Sequence, residues 1–177
     1  MSSISHITFV CTGNAARSVM ARAMFAQRAG PRFTTSGAGT LVVDGLPMSQ
    51  RTRTALDRYG LADPDHRSRQ LDEGEIARAD LLVVMEPSHV HWVRRKHPDG
   101  AERTATLKRL VRDLPTTTGP LPTRIGALAL GSVAVEPWEE VVDPAAGEQD
   151  VFDECASELD ALVDSLVATM TNGTHPS

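Results

Sequence analysis

Residues 10–18 read Val-Cys-Thr-Gly-Asn-Ala-Ala-Arg-Ser, and the segments on either side restrict what they can become. Before them, Ile7-Thr8-Phe9-Val10 is an apolar run of the kind that forms a buried strand. After them, the stretch from Ser18 to Ala26 reads as the start of a helix. A thiol, Cys11, therefore stands where a strand hands over to a helix N-terminus. Among the loop residues that follow it, only Arg17 is bulky.

A loop entering a helix points several backbone N–H groups at one spot, and the helix dipole adds positive potential there. A phosphate dianion fits such a spot. The same field stabilises negative charge on the Cys11 sulfur and makes it a nucleophile. Arg17, six residues on, can turn back to grip two oxygens of the anion in a fork. The amides of Thr12, Gly13, Asn14, Ala15, Ala16, Arg17 and Ser18 supply the remaining donors. Gly13 lets the loop turn tightly, and Asn14 tolerates a left-handed conformation. Ser18 is placed either to give its hydroxyl to the thiolate or to cap the helix. A bare Cys-x5-Arg arises by chance, but Gly-Asn inside it, Ser after it and the strand–helix context make the signal specific.

This stretch resembles the low-molecular-weight protein tyrosine phosphatases. The resemblance implies a thiolate nucleophile, Cys11, a phosphate-binding Arg17 and a late Asp-Pro whose Asp is general acid and then base. Asp143-Pro144 stands in the matching place, after Glu140-Val141-Val142. It also implies that Ser36 and His66 brace the cradle by hydrogen bonds. The expected activity is hydrolysis of a phosphomonoester through a cysteinyl-phosphate, without metal or cofactor. The expected partner is a phosphorylated protein or a small phosphomonoester, met by a monomer or weak dimer.

Composition is consistent with that reading. At 177 residues the chain suits one domain over residues 1–170 with a substantial core, followed by a frayed polar tail at 171–177. No apolar run approaches the roughly 18–20 residues that span a bilayer, so no membrane partner is expected. The first residues lack a basic stretch leading into a long apolar one, so no secretory leader is expected. Cys11 and Cys155 are the two cysteines. A cradle thiol locked in a disulfide would be inert, so both are expected reduced and the location cytoplasmic. The net charge of −5 argues against nucleic acid, which favours a basic face. Charge is nonetheless uneven. Residues 1–36 hold four arginines and no acid, whereas the chain from Glu136 onward holds eleven acids and no Lys or Arg.

Element types alternate along the chain. Strands are predicted over residues 6–10, 33–36, 80–85 and 141–142, with a turn at Gly37-Ala38-Gly39. Helices are predicted over 18–29, 49–59, 71–79, 88–96, 106–112 and 151–170. This alternation argues an α/β fold, a three-layer sandwich with a central four-stranded parallel sheet and helices on both faces. Ligands in such sheets bind at the carboxyl ends of the strands, where Cys11, Glu86 and Asp143 all fall. Residues 115–137, with four prolines and three glycines, read as an insertion loop over one edge of the site.

Departures from the family bear on specificity and rivals. Its members commonly place an aromatic residue after Asp-Pro and another beyond the second strand, which together form a slot for a phosphophenyl ring. Here those places hold Ala145-Ala146 and Leu41, and the only tyrosine is Tyr59. Ala16 replaces a second, protective cysteine, and Val19 a frequent proline. Thiol-linked arsenate reductases share the fold. The thioredoxin-coupled type needs cysteines near the third strand, and residues 80–97 contain none, whereas a type using a small external thiol needs only Cys11. A non-catalytic phosphate-binding regulator is the third reading. His89 and His91, two apart on a helix, make poor metal partners.

Overall fold

In β1 (Ser5–Cys11), alternate side chains enter two different cores, and this sets the layering of the molecule. The computed structural model describes residues 3–172. Ile7, Phe9 and Cys11 point to one side, where α1 (Arg17–Arg28) and α7 (Gln149–Asn172) bury Met20, Met24, Phe25, Leu159 and Val163. Val10 points to the other, among Ile76 of α3 (Glu73–Arg78) and Val90 and Val93 of α4 (Pro87–Lys96). The short helix α2 (Gln50–Asp57) joins the first side through Ala55 and Leu56.

The sheet is parallel throughout, in the order β2-β1-β3-β4. β2 spans Phe33–Gly39, β3 Leu81–Val84 and β4 Thr104–Thr106. β1 passes to β2 on one side, and the chain then crosses back over it to β3. The crevice above β1 and β3 is therefore the switch point at which such sheets bind ligands. This is the expected three-layer α/β architecture.

Three predicted elements differ. The fourth strand is not residues 141–142 but Thr104–Thr106, paired with Leu82–Val84 and followed directly by α5 (Leu107–Asp113). Thr-Ala-Thr is short and polar, and it is buried because its hydroxyls find partners: Thr104 donates to the Gly100 carbonyl and Thr106 to Glu139. Residues 141–142 touch the sheet by a single bond, from Val141 N–H to the Met85 carbonyl at 2.7 Å. Second, Gly37-Ala38-Gly39 is no turn but the end of β2, in register with Phe9-Val10-Cys11. The glycines serve closeness instead. A Cβ on Gly39 would come within 2.5 Å of the Thr12 carbonyl oxygen and 3.0 Å of the Asn14 nitrogen.

Third, residues 115–127 do not lie over the site. They contain a helix, α6 (Leu121–Ala127), whose Leu121 and Ile125 line a cleft with Ser5 and Asp80, at the starts of β1 and β3. Arg124 donates to the Thr169 carbonyl, near the far end of α7. At about 1.5 Å per residue, α7 carries that contact roughly 30 Å from its own N-terminal turn. The acids of α7 are met across the surface by Arg28, Arg58 and Lys108, and Arg51 meets Glu148 just before the helix. Of the expected tail, Thr171 and Asn172 complete α7, while residues 173–177 lie outside the described residues.

Candidate active site

The loop from Cys11 to α1 is braced almost entirely through its own carbonyls, which leaves its amides for an anion. Thr40 N–H bonds the Cys11 carbonyl and Leu41 N–H the Thr12 carbonyl, each at 3.0 Å. His66 Nε2 and Ser68 Oγ both donate to the Asn14 carbonyl, at 2.8 and 2.9 Å. Thr52 Oγ1 of α2 donates to the Ala15 carbonyl at 3.0 Å. Asn14 takes φ +50°, the left-handed conformation expected of it. Its side chain accepts from Arg69 N–H and donates from Nδ2 to Ser18 Oγ at 2.9 Å.

That last bond orients Ser18. With Asn14 donating to it, the hydroxyl keeps its proton for Cys11 Sγ, 3.0 Å away and buried. Ser18 does not cap α1, whose N-cap is Ala16 with no side-chain cap bond. The helix N-terminus is thus left open toward the loop it grows from.

Arg17 is 2% exposed and held on two sides. Its Nη1 donates to Glu86 Oε2 at 2.6 Å and to the Val141 carbonyl at 2.8 Å. Its Nη2 makes only long contacts, 3.4 Å to Thr12 Oγ1 and 3.5 Å to Asp143 Oδ2. One nitrogen anchors the guanidinium and the other faces the cradle. Burial opposes ionisation of Glu86, yet bonds from Ser88 and Arg17 and nearby positive charge hold it below the usual carboxylate range. Asp143 is 47% exposed, and its Oδ1 accepts Ala145 N–H at 3.0 Å across Pro144.

The segment leading to Asp143 is fixed from below. Buried Glu139 takes a bidentate pair from Arg109, at 2.8 Å to each oxygen, plus bonds from Thr106 Oγ1 and Glu136 N–H. Arg109 and Arg112 also stand over the Trp138 ring, at 5.6 and 4.2 Å.

Cys11, Arg17, Ser18, Asn14 and Asp143 are therefore brought together, and His66 contacts the loop as expected. Ser36 does not. Its hydroxyl bonds to His6, Thr8 and buried Glu75, a network tying β1 and β2 to α3. Despite burial, Ser36, Thr8, Arg69 and Arg78 hold the Glu75 carboxyl down at about 2. Ser36 is in register with Thr8, three residues below Cys11, too far down the strand to reach the cradle.

Sequence reasoning missed Thr52, Ser68, Glu139 and Arg109, since nothing local distinguishes them from surface residues. It also set aside His89 as a metal ligand without giving it another part. His89 is 1% exposed beneath the loop; its Nε2 lies 2.9 Å from Thr12 Oγ1, and its Nδ1 accepts Met85 N–H at 3.3 Å. Among the described residues no group of His, Cys, Asp and Glu could hold a metal ion, and no helix is long and apolar enough to cross a membrane. Cys155 lies buried under Val142, its thiol pushed up to about 12 by burial.

The family model described as low molecular weight phosphotyrosine protein phosphatase matches residues 6–121. The chain belongs to this family. It is 31% identical to the low molecular weight protein-tyrosine-phosphatase of Streptomyces coelicolor over 93% of this chain and 92% of that one. It is also 28% identical to the protein-arginine-phosphatase of Geobacillus stearothermophilus over 90% of this chain and 92% of that one. The solved structure of the YwlE arginine phosphatase from the same organism aligns with a TM-score of 0.79, at 26% identity, over 98% of this chain and 99% of that one. A low molecular weight protein tyrosine phosphatase from T. tengcongensis aligns at 0.73, with 28% identity over 92% and 97%. The chain is thus a cysteine-dependent phosphatase of the low-molecular-weight type, an enzyme for phosphorylated substrates.

Proposed function

We propose that Cys11 attacks the phosphorus of a phosphorylated protein side chain, forming a thiophosphate bond as the bond to the leaving atom breaks. Asp143 gives that atom its proton, then takes one from the water that cleaves the cysteinyl-phosphate and releases inorganic phosphate. Arg17 Nη2 and the loop amides hold the three equatorial oxygens, more tightly in the trigonal-bipyramidal state than in the substrate. Ser18 donates to the sulfur whenever it carries charge, which eases its departure in the second step. The observation that carries this reading is the meeting of Cys11 Sγ, Ser18 Oγ, the Arg17 guanidinium and the Asp143 carboxylate at the open N-terminus of α1. The partial exposure of Asp143 suits an acid that meets a leaving group at the mouth.

Phosphotyrosine is the family's default substrate. A second reading, phosphoarginine, is favoured by one feature of the mouth. The loop after β2 presents Leu41, Val43 and Leu46 to solvent, and Val142, next to Asp143, is exposed; these side chains are aliphatic, and the exposed Trp138 ring is already covered by Arg109 and Arg112. A reduced thiol in the cradle fits a cytoplasmic setting.

The test is hydrolysis of a small aryl phosphate without metal by wild type, Cys11→Ser and Asp143→Ala, followed by phosphotyrosyl and phosphoarginyl peptides in parallel. Turnover abolished by the first substitution and reduced by the second supports the two-step mechanism. An inactive wild type that reduces arsenate with a small thiol would overturn it.

A further inference from the structure

The underside of the cradle fixes where one hydroxyl proton can point. Met85 N–H donates to His89 Nδ1, so in the neutral ring the proton sits on Nε2 and is donated to Thr12 Oγ1. Arg17 Nη2 is a second donor to the same oxygen. A hydroxyl has two lone pairs and one proton, and here both lone pairs face donors. Among the described residues no acceptor bonds to the Thr12 proton. It is free to point at whatever fills the space that Thr12 shares with Arg17 Nη2 and Asp143.

We propose that the Thr12 hydroxyl is an oxyanion donor in addition to the loop amides, and that His89 is the positioning residue that keeps its proton turned toward the bound phosphoryl group. This rests on reading residues 11–18 as an oxyanion cradle. Amides fixed by the loop cannot turn to follow an oxygen as phosphorus changes from four- to five-coordinate. A hydroxyl can, and His89 limits it to the useful rotamer. Replacing the buried ring with an apolar side chain would leave Met85 N–H unpaired.

Binding of inorganic phosphate, followed by the cradle amide resonances, is measured alongside kcat/KM for an aryl phosphate. Thr12→Val, which removes the donor at nearly constant shape, is expected to weaken phosphate about tenfold, as for one lost bond to a charged group. Thr12→Ser recovers most of that loss. His89→Leu weakens phosphate several-fold, His89→Gln restores it by offering an N–H in place of Nε2, and His89→Leu adds nothing in the Thr12→Val background. Wild-type affinity in Thr12→Val overturns the proposal, as does a His89→Leu loss that persists undiminished in that background. If His89→Leu does not fold, the Thr12 pair decides alone. A wild type that binds phosphate but hydrolyses nothing sinks the phosphatase mechanism, while the titration still judges the Thr12 donor.

Discussion

Ser18 Oγ stands 3.0 Å from Cys11 Sγ while accepting a 2.9 Å bond from Asn14 Nδ2. The bond from Asn14 leaves the hydroxyl proton only the sulfur to serve. Ser18→Ala is therefore expected to slow breakdown of the cysteinyl-phosphate more than its formation. Stopped-flow measurement with an aryl phosphate should show a burst of phenolate followed by a steady rate reduced about 10–100-fold. Equal losses in both phases would make Ser18 a packing residue.

Arg17→Lys is not a conservative change here. Nη1 satisfies Glu86 and the Val141 carbonyl while Nη2 faces the cradle, and one ammonium cannot stand in both places. A loss of roughly a thousandfold or more in kcat/KM is expected, with phosphate affinity falling in parallel.

Gly39→Ala tests why β2 ends in glycines. The added methyl would meet backbone atoms of Thr12 and Asn14, which cannot rotate away as a side-chain tip can. Strain of about 1–3 kcal/mol and displacement of the cradle are expected, read as a lowered urea midpoint with activity lost. Gly60→Ala, far from the cradle, is the control for general backbone strain, since its φ is positive but no atom lies within 4 Å of the new methyl.

Glu139→Gln should reach the site indirectly. It takes the charge from the bidentate pair with buried Arg109 beneath the segment that carries Val141 and Asp143, leaving that guanidinium with Asp113 and the more distant Glu136. Destabilisation of about 3 kcal/mol is expected, together with a fall in kcat that exceeds any change in phosphate affinity. Urea unfolding and inhibition by phosphate separate the two effects.

Stability should fall in mild acid because of His89. Burial lowers its imidazole from 6.5 to about 4, with Glu86 and Asp143 opposing the shift and Arg17 adding to it. Below pH 6.5 the unfolded chain takes up a proton that the folded chain refuses, so stability rises with pH across this window. It is fully present above 6.5 and is lost as pH falls toward 4, by up to about 3 kcal/mol. Urea titrations at pH 7 and pH 5 measure the drop, and His89→Gln should flatten it. An unchanged slope in that variant would assign the acid sensitivity elsewhere.

The chemistry of this protein was legible in a few neighbouring residues because its parts are local. One strand, one five-residue loop and one helix start place Cys11, Asn14, Arg17 and Ser18 within bonding reach of each other, whatever the rest of the chain does. The three-layer α/β plan was legible for a similar reason, since β1 and β3 are apolar enough to need cover on both faces. Asp143 was found through the Asp-Pro pattern, and the fold then set its carboxylate 3.5 Å from Arg17.

What only tertiary structure decided are pairings between residues far apart in the chain. Thr-Ala-Thr becomes the fourth strand because Gly100 and Glu139 accept its hydroxyl protons, and Glu139 lies 33 residues beyond Thr106. Gly37 and Gly39 are turn formers by composition, but in the fold they are the gap into which the cradle fits. Residues 115–137 read as an insertion over one edge of the site, but their helix α6 lies at the opposite end of the sheet, because Ile125 and Arg124 find a core and a helix end there. His89 changes from a discarded metal ligand to the brace of Thr12 through two bonds, one of them to a residue 77 positions away. Local sequence determines which groups can react; which way their protons and lone pairs face is set by distant partners that meet only on folding.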